Sequence, residues 1–194
     1  HSALVVGTWQ FFSQMALSIQ ILYAIRALGL SEDRLSLSYV ALGVGSIAIG
    51  LTGPRLSKNI GPGPALLLGV GLTGVGWLQL ALFKDFVPAI LGFAIMLMCF
   101  AAGATLLFIN FLSIRQAVTP SPMLGRMTST MRWLILLPAG PGALLGGWLG
   151  EHMTMTTPLL LAGIGTVSTA VVGGFTSRLR RLRALPNQPQ SSGD

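Results

Sequence analysis

The sequence predicts an all-α membrane protein with six transmembrane helices. Three observations predict it: an apolar composition, the spacing of the few charges, and the alternation of those charges along the chain. Of 194 residues, 52% are hydrophobic and 9% charged, whereas soluble domains carry about 25% charged residues. The charges leave six neutral stretches, at 1–25, 35–54, 59–83, 86–114, 133–150 and 152–177. A helix needs about 20 apolar residues to cross the hydrocarbon core, and each stretch meets or approaches that length. A charge at a helix centre costs about 2.5–3.5 kcal/mol on insertion scales, so gaps of this length are what a polytopic chain requires.

Taken in order, the first helix is expected over 3–25. It carries Gln10, Gln14 and Ser18 at i, i+4 and i+8, which is one stripe of its surface, and Gln14 falls near mid-membrane. The stripe either lines a cavity, as midplane polar groups do in transporters, or hydrogen-bonds to neighbouring helices. Trp9 reads as an interfacial anchor. The second helix is expected over 35–53, with Ser46 and Gly50 as small contacts. The third, over 63–83, opens with Pro64 in its first turn, where the missing N–H costs nothing. It carries the small-residue stripe Ala65, Gly69 and Thr73. The fourth, over 86–112, opens at Pro88 and contains Met96 and the single cysteine, Cys99.

The fifth helix is expected over 127–150, with Pro138 and Pro141 in its middle beside Gly140 and Gly142. A mid-helix proline removes a backbone hydrogen bond, so this segment reads either as a hinge that lines a cavity or as a static kink. Gly142, Gly146 and Gly150 repeat every four residues and mark a close helix contact. The sixth helix is expected over 155–177, with Pro158 in its first turn and Ala162, Thr166, Ala170 and Gly174 along one stripe. Residues 178–194 read as a basic, disordered tail.

The loops sort by charge. Arg55, Lys58, Arg115, Arg126, Arg132, Arg178, Arg180, Arg181 and Arg183 fall on one side. Arg26, Arg34 and Lys84 fall on the other, with Glu32, Asp33, Asp85 and Glu151. By the positive-inside rule both ends are expected in the cytoplasm. The net charge of +7 is then a topology signal, and nucleic-acid binding is not expected. The Arg178–Arg183 cluster reads as a stop-transfer anchor or a contact for anionic lipid headgroups.

The residues for catalysis are missing from the predicted helix cores. No Asp, Glu, Lys or His lies there, so no general acid or base is available at depth. There is no phosphate-cradling glycine loop with its lysine. No metal is expected, since the ligands are lacking, and no cofactor. The chain opens His1-Ser2-Ala3-Leu4 with neither Met nor a basic segment. It therefore does not begin like a signal peptide and is expected to be a piece of a longer protein.

Two segments carry a family resemblance. The stretch from Ser113 to Arg132, with Arg115-Gln116, Thr119-Pro120, Leu124-Gly125-Arg126 and Arg132 at its core, resembles a cytoplasmic loop of the major facilitator superfamily. The branch it resembles is that of the enterobactin-type and macrolide-type efflux proteins. Gly50 to Gly61 resembles the degenerate second copy of that superfamily's glycine-and-basic loop, with Gly53-Pro54 where the fuller form has an acid. More faintly, Gly140-Pro141 with Gly146-Gly147 resembles its antiporter motif.

The resemblance implies the C-terminal six-helix half of a major facilitator fold. The expected function is secondary transport, in the direction of efflux, by alternating access. The N-terminal six-helix half would be the partner, with a small amphipathic substrate and membrane lipid, in a bacterial cytoplasmic (inner) membrane. Gln10, Gln14, Met96, Cys99 and Pro138 would line the substrate path, and Gly140, Pro141 and Gly142 would form the hinge. Arg115, Gln116, Gly125, Arg126 and Arg132 would form the cytoplasmic loop motif, latching onto acids of the other half or setting topology. A titratable coupling residue would belong to the other half. The competing expectation is a six-helix membrane subunit with no transport activity of its own.

Overall fold

A computed structural model describes residues 2–83, 85–118, 132–133 and 135–176. Every regular element among them is α-helical: α1 (Ser2–Arg26), α2 (Glu32–Ser38), α3 (Val40–Ile60), α4 (Pro62–Leu82), α5 (Ala89–Val118), α6 (Ala139–His152) and α7 (Thr156–Thr176). Four spans among the described residues are long and apolar enough to cross a membrane: Glu32–Ile60, Pro62–Leu82, Ala89–Gln116 and Thr156–Phe175. α1 is long enough at 25 residues, but its three glutamines make it less apolar. α6 has 14 residues within its bounds.

Local chemistry sets the helix ends. α1 ends at Arg26, and three residues on Gly29 has a φ of +63°, the left-handed conformation glycine adopts without penalty. The Leu28 N–H there reaches back to the Tyr23 carbonyl at 3.1 Å, which caps the last turn. α2 and α3 are divided by the single residue Tyr39 and act as one span. α3 and α4 are joined by Gly61 alone (φ +91°), followed by Pro62 at the start of α4. The sequence reading ended the second helix at residue 53. The structure carries it through Pro54 to Ile60, so Arg55 and Lys58 stand on the last turns of a helix and not in a loop.

A second difference concerns the prolines. Residues 132, 133, 135 and 136 are helical, Leu137 and Pro138 form a turn, and α6 starts at Ala139. Pro138 is thus the N-cap of α6 and Pro141 its third residue. At these positions no intrahelical donor is lost. The break falls at Leu137–Pro138, and the prolines begin a helix where the sequence reading put them inside one.

Helix contacts follow an open row, α3–α5–α4–α7–α1–α6. Exchanging α1, α3 and α4 with α5, α6 and α7 maps the row onto itself. The α3–α5 contact becomes α6–α1, α4–α5 becomes α7–α1, and α4–α7 is its own image. The lesser α3–α4 and α6–α7 contacts also exchange. The row of contacts therefore has an internal two-fold pattern that relates two sets of three helices.

Glycines create the contacts. A Cβ on Gly69 would stand 2.6 Å from the Gly103 carbonyl oxygen, and one on Gly74 would stand 2.9 Å from the Val167 nitrogen. Gly45 meets the Met98 backbone, Gly142 that of Phe11, and Gly146 that of Met15. Two apolar clusters fill the interior. One is built on Met15, Tyr23, Trp77, Phe93 and Met96, the other on Val6, Leu66, Leu107 and Phe111. Phe100 packs against both.

We expect Gly69→Ala to lower stability by about 1–3 kcal/mol, because the added methyl overpacks backbone on α5. Gly50→Ala meets no atom within 4 Å and should be neutral or stabilising. Thermal unfolding in detergent distinguishes the two.

Candidate functional site

The predicted site residues do not all meet. Gln10 and Gln14 are half-buried on α1, and neither hydrogen-bonds to another described residue. They lie between two occupied faces of the helix. One face carries Trp9 against α4 and α5. The other carries Phe11 and Met15 against the glycines of α6. Ala3, Gly7, Gln10 and Gln14 follow at i, i+4, i+7 and i+11, so the glutamines continue a stripe that begins at the first turn of α1.

The first two residues of that stripe, Ala3 and Gly7, line a cavity of about 400 Å³ together with Leu4, Thr8, Phe11, Phe12 and Pro138, and Gln10 and Gln14 are not among its lining residues. Gly142 and Gly146 hold α6 against α1 at Phe11 and Met15, and the cavity lies beyond the N-terminal end of that contact, beside Pro138. Phe11 and Phe12 meet edge to face at 5.3 Å, so the wall is aromatic, with the Thr8 hydroxyl as a polar group. Sequence reasoning missed Thr8, Phe11 and Phe12. The spacing of residues 4, 8 and 11 beside the glutamine stripe was the available signal.

Met96 and Cys99 lie elsewhere. The face of α5 that bears them packs on α4, where a Cβ on Gly76 would meet the Cys99 Cβ at 3.0 Å and the Met96 carbonyl oxygen at 3.2 Å. Met96 is fully buried beside Trp77 and Phe93. Met96 belongs to the core of the bundle, Cys99 is half-buried beside Gly76, and neither lines the 400 Å³ cavity. Gly142 is likewise a packing contact, whereas Gly140 faces open space.

Of the loop motif, the Arg115 guanidinium lies 5.2 Å from the centre of the Phe111 ring, in a cation–π arrangement. Gln116 and Arg132 are exposed at helical positions. Gly125 and Arg126 lie outside the described residues, as do the expected start of the fifth helix at 127 and the tail 178–194.

Trp9 is a core residue and not the interfacial anchor expected of it. Its indole N–H donates to the Thr73 hydroxyl at 2.9 Å, which in turn donates to the Val70 carbonyl at 2.7 Å. Its ring stacks on Phe100 at 6.4 Å and meets the edge of Phe108 at 5.7 Å. Gln20 is similarly satisfied, donating to the Tyr39 hydroxyl at 3.3 Å. A larger cavity, of about 640 Å³, lies between α3, α4 and α7. Only apolar residues line it, and none of the predicted site residues is among them.

The chain is 28% identical over 184 residues to the enterobactin exporter of Citrobacter koseri, covering 92% of this chain and 42% of that protein. It is 29% identical over 178 residues to the enterobactin exporter of Salmonella typhimurium, covering 89% and 41%. To that of Escherichia coli O6:K15:H31 it is 29% identical over 185 residues, covering 92% and 43%. The resemblance to the enterobactin-type branch of the major facilitator superfamily therefore holds across nine-tenths of the chain. The chain spans less than half the length of the curated relatives it matches. No family model and no solved structure matches it.

If Trp9 and Thr73 are coupled as described, Trp9→Phe and Thr73→Val should show a coupling of about 1 kcal/mol in a double-mutant cycle. An interfacial anchor would give additive effects in the same unfolding measurement.

Proposed function

We propose that this chain is the C-terminal six-helix half of a major facilitator exporter. It moves small amphipathic molecules out across the bacterial cytoplasmic membrane by alternating access, paired with an N-terminal six-helix half. In this reading α1, α2 with α3, α4, α5, the segment from 127 through α6, and α7 are the six spans, and both ends of the segment are cytoplasmic. The relatives support an exporter, and the exchange of α1, α3 and α4 with α5, α6 and α7 supports this superfamily. Its halves are built from inverted three-helix repeats.

One observation carries the assignment of the site: Gln10 and Gln14 stand half-buried on a stripe that leads into the Phe11–Pro138 cavity, without partners among the described residues. Gln20 and Trp9 find acceptors while Trp77 Nε1 and Gln79 Oε1 are buried without partners, so what sets Gln10 and Gln14 apart is that they are only half-buried. Two amide groups left open beside an aromatic wall suit a ligand that is apolar with hydrogen-bonding groups. The substrate binds between α1, α6 and the other half, with Gln10 and Gln14 as hydrogen-bonding groups and Thr8, Phe11 and Pro138 as wall. Arg115, Gln116, Gly125, Arg126 and Arg132 form the cytoplasmic latch. The turn at Leu137–Pro138, with Gly140, lets the segment ahead of α6 swing while α6 itself stays docked on α1.

In cells making this segment together with its other half, Gln14→Leu should reduce export about tenfold, as expected for the loss of one to two ligand hydrogen bonds. The amount of folded protein should be unchanged. Export that is unaffected by both Gln10→Leu and Gln14→Leu would overturn the site. Topology is checked separately. In a Cys99→Ala background, single cysteines replacing Lys58 and Glu151 should label from opposite faces of the membrane.

A further inference from the structure

Hydroxyls on these helices usually bond to their own backbone. Ser38, Thr52, Ser57, Ser113 and Thr169 each donate to the carbonyl four residues back. Ser13 of α1 and Thr166 of α7 do not. Both are fully enclosed, at 0% exposure, and neither hydroxyl has a hydrogen-bond partner among the described residues. Unbonded to the carbonyls of their own helices, the two hydroxyls are turned into the space between helices. Trp77 of α4 is enclosed to the same degree, and its indole N–H is likewise without a partner among the described residues. Buried polar groups are rarely left unpaired in native structures.

The three residues lie at one junction. Val5 of α1 and Leu67 of α4 both lie against Gly173 of α7; further along, Phe12 lies against Gly165 and Leu78 against Gly163. Residue numbers thus rise together along α1 and α4 and fall along α7. The Trp9–Thr73 hydrogen bond fixes the register of α1 on α4. One turn further on, Ser13 follows Trp9 and Trp77 follows Thr73. Thr166 lies between Gly165, which touches Phe12, and Val167, which touches Gly74, so it stands at that level too. α1 and α4 are not neighbours in the row of contacts, and side chains bridge the distance between them.

The junction offers one fixed donor, the indole N–H, and two hydroxyls that can donate or accept. They converge without bonding to one another. A buried water typically makes about three hydrogen bonds to polar groups that are otherwise unpaired. We propose that a single water binds between α1, α4 and α7, accepting from Trp77 Nε1 and donating to Ser13 Oγ and Thr166 Oγ1. The site needs only the packing of these three helices, and it stands apart from any role of Gln10 and Gln14 in transport.

X-ray radiolysis of the full chain in detergent, read residue by residue by mass spectrometry, tests it. Hydroxyl radicals formed from a bound water oxidise the side chains around it. Trp9 is an internal control, because it is almost as enclosed as Trp77, at 3% exposure, but its indole is held by Thr73. Trp77 should be oxidised severalfold faster than Trp9, and Thr166→Val should bring it down to the level of Trp9. Equal oxidation of the two in the wild-type chain would overturn the proposal, as would Trp77 oxidation unchanged in both Thr166→Val and Ser13→Ala. Unfolding gives a second reading. Ser13→Ala and Thr166→Val should each lower the folded-to-unfolded ratio about fivefold, the worth of one ordinary hydrogen bond. The double variant should lose clearly less than the product of the two. Full stability in both single variants would mean that the hydroxyls are simply unpaired, and fully additive losses would mean that each bonds to its own helix. Either result overturns the shared water.

Discussion

The fold depends on helix backbones that touch. Apolar side chains gain nothing by leaving lipid for one another, so membrane helices associate through close approach and dispersion. Here glycine permits that approach at Gly45, Gly69, Gly74, Gly103, Gly142 and Gly146. Each contact sets a pair of helices at a fixed distance, and the chain of pairs sets the order of the row. Two buried polar side chains are tied to partners on other helices, whereas Ser13 Oγ, Trp77 Nε1, Gln79 Oε1 and Thr166 Oγ1 are buried without one among the described residues. Trp9 to Thr73 and Gln20 to Tyr39 join helices that are otherwise held by shape alone.

The site follows from the same constraint. Where Gly142 and Gly146 press α6 on α1, no ligand fits. Beyond that contact, beside Pro138, the cavity begins, so close packing defines one edge of the candidate site. α3 and α6 are the ends of the open row and bury few of their residues.

What the sequence disclosed depended on whether a feature was local. The apolar runs over α3, α4, α5 and α7 were legible because uncharged length alone makes them long enough to span. The stripe of Gln10 and Gln14 was legible from helical spacing, and the contact glycines of α6 from their four-residue repeat. The role of Trp9 was not, since it rests on Thr73, 64 positions away. Met96 and Cys99 could not be oriented because α5 is apolar on all sides, and such a helix carries no periodic sign of which face is core. The charge of Arg55 that bounded the second neutral stretch does not end α3, which runs on to Ile60. The effect of proline depends on its place in the helix, so Pro138 and Pro141, expected mid-helix, open α6.

The burial of Trp9 against Thr73 and Phe100 also gives the molecule a natural optical partition. Of its four tryptophans, Trp9 and Trp77 are enclosed, at 3% and 0% exposure, while Trp133 and Trp148 face outward at 74% and 54%. Quenchers carried on lipid tails reach only the outer pair. The light that survives them comes from two indoles in the enclosed interior, one of them hydrogen-bonded to α4. Its wavelength therefore reports whether α1 and α4 stay locked together while the outer helices move.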